Sequence, residues 1–211
     1  MWTVTLLLKP VIVTLHLIGG MTTLALLTWL ALRQLEVAPR SDREPARAFG
    51  PWATLALAIV AVQIALGGWV SSNYAALACV DLPKCHGEWL PEMDFRHGFQ
   101  LVRELGRRAD GEHLAYEALT AIHWTHRVGA LVTFLYVGGF AIALMRLQGF
   151  GLHGAVLATV LLAQVGLGIA NVVAGLPLGI AVAHNGVAAI LLVTVVVINF
   201  ALSRVPSTFS R

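Results

Sequence analysis

Between residues 10 and 32 the chain carries no Asp, Glu, Lys or Arg, and four later stretches are nearly as apolar. A helix rises 1.5 Å per residue, so about 20 residues cross the hydrocarbon of a bilayer. Five runs meet that length: span I over 10–33, II over 51–72, III over 117–146, IV over 152–174 and V over 178–204. Of 211 residues only 12% are charged while 58% are hydrophobic, and the mean hydropathy is +0.79. That is more apolar surface than a soluble domain of this length buries, so lipid must be part of the solvent. The expected class is an all-α membrane protein with five transmembrane helices. The net charge of +3 is small, and the basic residues sit in short clusters between spans. Such clusters set membrane orientation and do not form a nucleic-acid footprint.

Orientation follows from those clusters. Arg33, Arg40, Arg43 and Arg47 join spans I and II, Arg146 lies in the III–IV turn, and Arg204 ends span V. All fall on one side, which the positive-inside rule makes cytoplasmic. The N-terminus and the loop over 73–116 are then expected outside, and the C-terminus inside. No basic segment precedes the first apolar run and Lys9 interrupts it, so residues 1–33 do not read as a cleavable signal. An N-out start is natural if an odd number of helices once preceded residue 1. No Arg/Ser-rich presequence is visible, which favours a bacterial cytoplasmic membrane over an organelle.

The 73–116 loop holds both cysteines, Cys79 and Cys85. An outside loop faces an oxidising space, which suits a disulfide between them. Two free packed thiols, or a metal held with His86, are the alternatives, although a C-x5-C spacing is not a usual zinc knuckle. Phe95, Phe99, Val102 and Leu105 recur at helical spacing and predict an amphipathic helix on the outer membrane surface. His97 and His113 are expected to be solvated.

His16, His123, His126 and His184 lie inside apolar spans, where ionisable groups are costly and usually functional. His16 stands six residues after Pro10, His126 nine after Glu117 and His184 six after Leu178. Spans I, III and V run the same way, so the three imidazoles sit roughly 9–14 Å below one boundary. Imidazoles from facing helices hold b-type haem inside helical bundles. Glycines give a flat ring its room, and span II reads Gln63-Ile-Ala-Leu-Gly67-Gly68 while span IV reads Gln164-Val-Gly-Leu-Gly168. Each Q-x-x-L-G helix is followed by a helix carrying a candidate ligand, His126 or His184. This internal repeat predicts a pseudo-two-fold four-helix bundle of spans II–V with those histidines facing across it. Glycine stripes also serve helix packing, and a lone His also serves as an interhelical hydrogen bonder, the simpler reading for His123. Arg127 has two readings, pairing with a haem propionate or snorkelling to the outer headgroups.

At these residues the chain resembles the haem A synthase family. The resemblance rests on four ordered motifs: Q-x-x-L-G-G-W-V in span II, Ala-Cys79-Val-Asp-Leu-Pro-Lys-Cys85, His123-Trp-Thr-His126-Arg127, and Ala-His184-Asn-Gly. It implies a membrane oxidoreductase that converts a methyl group of haem O to the formyl group of haem A for cytochrome c oxidase assembly. The family has eight helices in two related four-helix halves. Residues 51–211 resemble the carboxy-terminal half. Residues 1–50, with Thr14-Leu-His16-Leu-Ile-Gly-Gly, resemble the last helix of the amino-terminal half and its cytoplasmic loop. By that resemblance His126 and His184 ligate a cofactor haem b, Gly67 and Gly168 line it, and His16 is one of two ligands at the substrate haem site. Cys79 and Cys85 match the outer-loop cysteines of the second half. Three helices of the family's first half have no counterpart here. With them go the second substrate-site histidine, an acidic residue one turn before it, and another cysteine pair. His123 stands where symmetry would put such an acidic residue. The expected partners are therefore lipid, haem, a missing amino-terminal half or a second copy, and cytochrome oxidase assembly proteins, with no nucleic acid. A b-type electron carrier or haem-binding assembly factor, and a haem-free histidine network, are the competing classes.

Overall fold

A computed structural model describes residues 9–35, 46 and 48–203. Its five long helices are α1 (Pro10–Gln34), α2 (Gly50–Ser72), α3 (Tyr116–Arg146), α4 (Gly151–Val173) and α5 (Leu178–Ser203). Each is long and apolar enough to cross a membrane, and no strand occurs among the described residues. The chain is an all-α, multi-pass membrane protein. Each end of these five helices falls within one residue of its expected place, because the end signals are local. Pro10 and Pro51 sit in first turns, where a missing N–H costs nothing. Arg33 and Arg146 occupy the last turns of α1 and α3, where a cation meets unpaired carbonyls. Arg40, Arg43, Arg47 and Arg204, used above for orientation, lie outside the described residues.

Two helix ends close with the same hydrogen-bond motif. After α4, Leu176 N–H donates to Asn171 O at 2.7 Å and Gly175 N–H to Val172 O at 3.3 Å, with Gly175 at φ 70°. After α2, Ala75 donates to Val70 O at 3.0 Å and Tyr74 to Ser71 O at 3.2 Å, with Tyr74 at φ 54°. Both are Schellman caps, which satisfy carbonyls that a helix end leaves orphaned.

The described residues divide into two units. One draws on Met1–Gly20, Val62–Leu131 and Gly166–His184, the other on Met21–Ala61, Val132–Val165 and Asn185–Arg211. The second unit is held by aromatic and close backbone contacts. Trp29 meets Phe200 edge-on at 5.1 Å, and Asn199 donates to Ala53 O at 2.9 Å. Gly154 lets α4 lie directly on α3, since a Cβ there would come within 2.6 Å of Met145 N. Leu157, Leu161, Leu191, Val195 and Ile198 are buried, whereas Leu26, Leu135 and Leu162 are each more than half exposed. Outward-facing leucines on apolar helices are what a lipid solvent requires.

The first unit contains every candidate ligand and the 73–116 loop. Its core joins Trp69, Val70, Ala75 and Ile122, with Val11, Phe99 and Leu119 packed against them. The two adjacent glycines of α2 serve different neighbours. A Cβ on Gly68 would meet Leu17 of α1 at 2.7 Å, and one on Gly67 would meet the His126 ring of α3 at 3.2 Å. Beside them Thr14 and Ser72 share a buried hydroxyl hydrogen bond of 3.0 Å.

The amphipathic helix expected through Leu105 is a single turn, Phe95–Gly98. Asp94 caps it, and Trp69 Nε1 then donates to Gly98 O at 3.0 Å. A Cβ at Gly98 would lie 2.7 Å from Ala118 O, so the turn is pinned against α3 and does not continue along the surface. Phe99 turns into the core, Arg103 is buried over the Trp69 ring at 5.8 Å, and Val102 stays exposed. Tertiary contacts override the periodicity here.

Candidate functional site

His126 is built onto α2 as much as onto its own helix. Its Cε1 is the atom nearest to a Cβ added at Gly67, at 3.2 Å, so the imidazole edge lies against bare α2 backbone. One turn earlier on α2, Gln63 Nε2 stands 3.0 Å from His126 Nδ1 and 3.1 Å from the His126 carbonyl oxygen. The other ring nitrogen, Nε2, makes no hydrogen bond to the described residues. The same seat recurs in the second helix pair. A Cβ added at Gly168 would lie 3.2 Å from His184 Cε1. Thus each Q-x-x-L-G helix presents its glycine to the histidine of the next helix. An imidazole nitrogen without a protein partner, and two histidines each seated on a glycine, suit a pair of axial ligands. These residues therefore fit a haem.

His16 lies in the same unit, with its side chain exposed on α1.

His123 and Arg127 do something else. They sit one helical turn apart on α3 and hold the cysteine loop. Cys79 N–H donates to His123 Nδ1 at 3.3 Å, and Arg127 Nε–H to His123 Nε2 at 3.3 Å. A neutral imidazole accepts at only one nitrogen, so these two donors compete for it. The rest of the Arg127 guanidinium is aimed at loop carbonyls. Nη1 donates to Asp81 O at 2.8 Å and Lys84 O at 2.9 Å, and Nη2 to Cys79 O at 2.6 Å. Four of its five N–H groups thus point at His123 and the loop, a role that neither the propionate nor the snorkelling reading contains.

Within that loop the Cys79 and Cys85 sulfurs stand 2.00 Å apart, at disulfide distance, and both residues are buried. The Asp81 carboxylate accepts from Gly87 N–H and His86 N–H, each at 2.8 Å. These bonds, Gly87's foremost, hold its pKa below the ordinary carboxylate value. The His86 ring donates to Ala78 O at 2.7 Å and stacks on Tyr116. With both sulfurs paired to each other, the metal reading of this loop loses its two thiolate ligands. Among the described residues no group of three or more His, Cys, Asp or Glu is placed to hold a metal ion.

His97, expected to be solvated, is instead bound to the Asp94 side chain, whereas His113 is exposed as expected. The His97 hydrogen bond is the chief reason that the Asp94 pKa lies below its ordinary 3.8. A depressed carboxylate pKa contributes stability at pH values above the ordinary one and loses it as the pH falls through the folded value. Amide-exchange protection around the Phe95–Gly98 turn should therefore be higher in the natural chain than in Asp94→Ala at neutral pH. The two should converge only as the pH falls through the folded pKa, which lies below 3.8; a difference that persists unchanged at pH ~2 would exclude this charge as the cause.

Two of these roles were visible in the sequence only in part. Gln63 and Gln164 belong to the repeat, but only their glycines were assigned. Nothing in the sequence pointed from Arg127 to carbonyls 43 to 48 residues earlier.

Known proteins resemble this chain along most of its length. The sequence profile of the family described as COX15-CtaA, cytochrome oxidase assembly protein, matches residues 1–196. A heme A synthase of Shewanella oneidensis is 40% identical over 211 residues, covering 100% of this chain and 64% of the relative. A heme A synthase of Rhizorhabdus wittichii is 31% identical over 177 residues, covering 84% of this chain and 47% of the relative. That of Erythrobacter litoralis is 30% identical over 182 residues, covering 85% and 49%. The chain therefore spans between about half and 64% of the length of these curated relatives. On the profile match and these identities, this chain belongs to the COX15-CtaA family of cytochrome oxidase assembly proteins, the family of the haem A synthases.

Proposed function

We propose that this chain is the haem b-binding part of a haem A synthase-type oxidoreductase, acting in the oxidation of a haem O methyl group to the formyl group of haem A. The observation that carries the reading is the repeated seat, His126 on Gly67 and His184 on Gly168, at the same 3.2 Å spacing. In this reading His126 and His184 offer the two axial nitrogens. Haem b, when bound, supplies one-electron redox chemistry at its iron. The chain's own residues orient and enclose. Gly67 and Gly168 give the two imidazoles their seats. Arg127 and His123 anchor the cysteine loop, closed by a Cys79–Cys85 disulfide, to the turn of α3 that carries His126. The one Arg127 N–H left over is the most that a propionate could receive from this side chain.

His16 belongs to a second, substrate haem site whose other ligand comes from outside the described residues, from an amino-terminal half or a second copy. Other cytochrome oxidase assembly proteins are the expected partners. The membrane is the bacterial cytoplasmic membrane, with the N-terminus and the 73–116 loop outside and the C-terminus in the cytoplasm. A second reading, a b-type electron carrier or haem-binding assembly factor, is favoured by one observation. The recurring seat exists for His126 and His184 but not for His16.

A pyridine haemochrome difference spectrum of the detergent-purified chain, from haem-replete cells, tests both. Haem b together with conversion of added haem O supports the synthase reading, alone or after co-expression with an amino-terminal half. Haem b with no conversion under either condition supports the carrier. A chain that stays colourless after reconstitution with haem overturns both.

A further inference from the structure

We propose that Gln63 is the positioning residue of His126, setting which imidazole nitrogen carries the proton and hence which is free to meet iron. The iron-ligation half of this proposal rests on the haem reading above. Gln63 precedes Gly67 by four residues on α2, so its side chain and the bare glycine lie on one helix face, one turn apart. Both reach the same ring. Gly67 takes the Cε1 edge at 3.2 Å from its would-be Cβ, and the Gln63 amide takes Nδ1 at 3.0 Å.

The same end of that amide lies 3.1 Å from the His126 carbonyl oxygen. A carbonyl oxygen only accepts, so this end is the NH2, and its two hydrogens serve the carbonyl and Nδ1 together. Nδ1 is then the acceptor and the ring proton sits on Nε2. An Nε2 that carries a proton cannot bind a metal. Ligation through Nε2 requires the proton on Nδ1, where it must find an acceptor. The transfer moves one proton between two nitrogens of the same ring, with no net gain or loss. Glutamine holds the first state as it stands; to serve the second its amide must turn Oε1 to Nδ1–H and at the same time swing off the His126 carbonyl, which only accepts. Leucine serves neither, and glutamate serves only the ligated state.

A helix-packing hydrogen bond between α2 and α3 would use the same atoms, so the test reads the ring and not stability alone. In the haem-free full-length chain, 15N-histidine NMR should show His126, identified by its loss in His126→Asn, with the proton on Nε2. Gln63→Leu should weaken that preference towards the smaller bias of a free imidazole. In haem-loaded protein, Gln63→Leu should shift the haem midpoint potential upward and lower haem retention, because the ligand loses its hydrogen-bond acceptor. Gln63→Glu should shift the potential downward, because a carboxylate draws the Nδ1 proton more strongly. An unchanged His126 tautomer in Gln63→Leu overturns the positioning role, as do equal potentials in all three proteins. If the natural chain binds no haem, the haem reading falls and the ligation half of this proposal falls with it. A tautomer preference that still depends on Gln63 then upholds the ring-setting half alone.

Discussion

His126→Ala, purified in detergent from haem-replete cells, is expected to lose the low-spin b-type spectrum of the natural chain. Low-spin iron needs two strong axial ligands, and the substitution removes one nitrogen without offering a substitute. The ring's neighbours on α2, the bare Gly67 and the amide of Gln63, offer no substitute. His184→Ala should have an effect of equal size, since the second seat repeats the first at Gly168. The two losses should not add, because either one already leaves the iron one ligand short. Gly67→Ala provides the graded control. Its methyl would stand 3.2 Å from His126 Cε1, closer than comfortable contact, so the ring must yield by a few tenths of an ångström. Haem should be held but with a perturbed spectrum. His16→Ala should leave the b-type signal in place. A low-spin spectrum that survives in both His126→Ala and His184→Ala would sink the ligand assignment, provided the helical circular dichroism of both variants matches the natural chain.

Arg127→Leu is expected to loosen the cysteine loop more than any other single change outside the candidate ligands. The guanidinium donates to three loop carbonyls at 2.6–2.9 Å and to His123. Hydrogen bonds from a charged donor contribute roughly 1.5–3 kcal/mol each when intact, but they are coupled and partly replaceable by water. A net local loss of about 2–4 kcal/mol is the reasonable expectation. It should appear as faster amide exchange and faster proteolysis between Cys79 and Glu88, with α4 and α5 unaffected. Arg127→Lys should recover only a small part. Its ammonium is a compact point charge and cannot span three carbonyls with the planar fork that arginine provides. Alkylation with and without prior reduction, read by mass, reports the Cys79–Cys85 bond in the same samples. The bond should persist in both variants, since it is covalent and needs no clamp. Full protection of the loop in Arg127→Lys would refute the fork as the clamp.

The five helices, their ends and the membrane class were legible in the amino-acid sequence alone, because the causes are local. Twenty apolar residues make a span wherever they occur, and Pro10, Pro51 and Arg146 act within one helical turn of themselves. The pairing of each Q-x-x-L-G helix with a following histidine was also legible, since a repeat reveals itself without coordinates. What only the tertiary structure decided are the partners of polar groups. Phe95 to Leu105 has a helical period, yet the helix stops after one turn because Gly98 fits beneath Ala118 O and Trp69 binds its carbonyl. Arg127 stands beside a candidate ligand, yet its donors point to backbone oxygens of a loop far back in the chain. Gln63 lay in plain view within the repeat, but its role depends on which end of the amide meets the imidazole and the carbonyl together. Hydrophobic length is a property of a segment and can be counted along it. A hydrogen bond belongs to two groups, and the second is chosen only when the chain has folded back to meet the first.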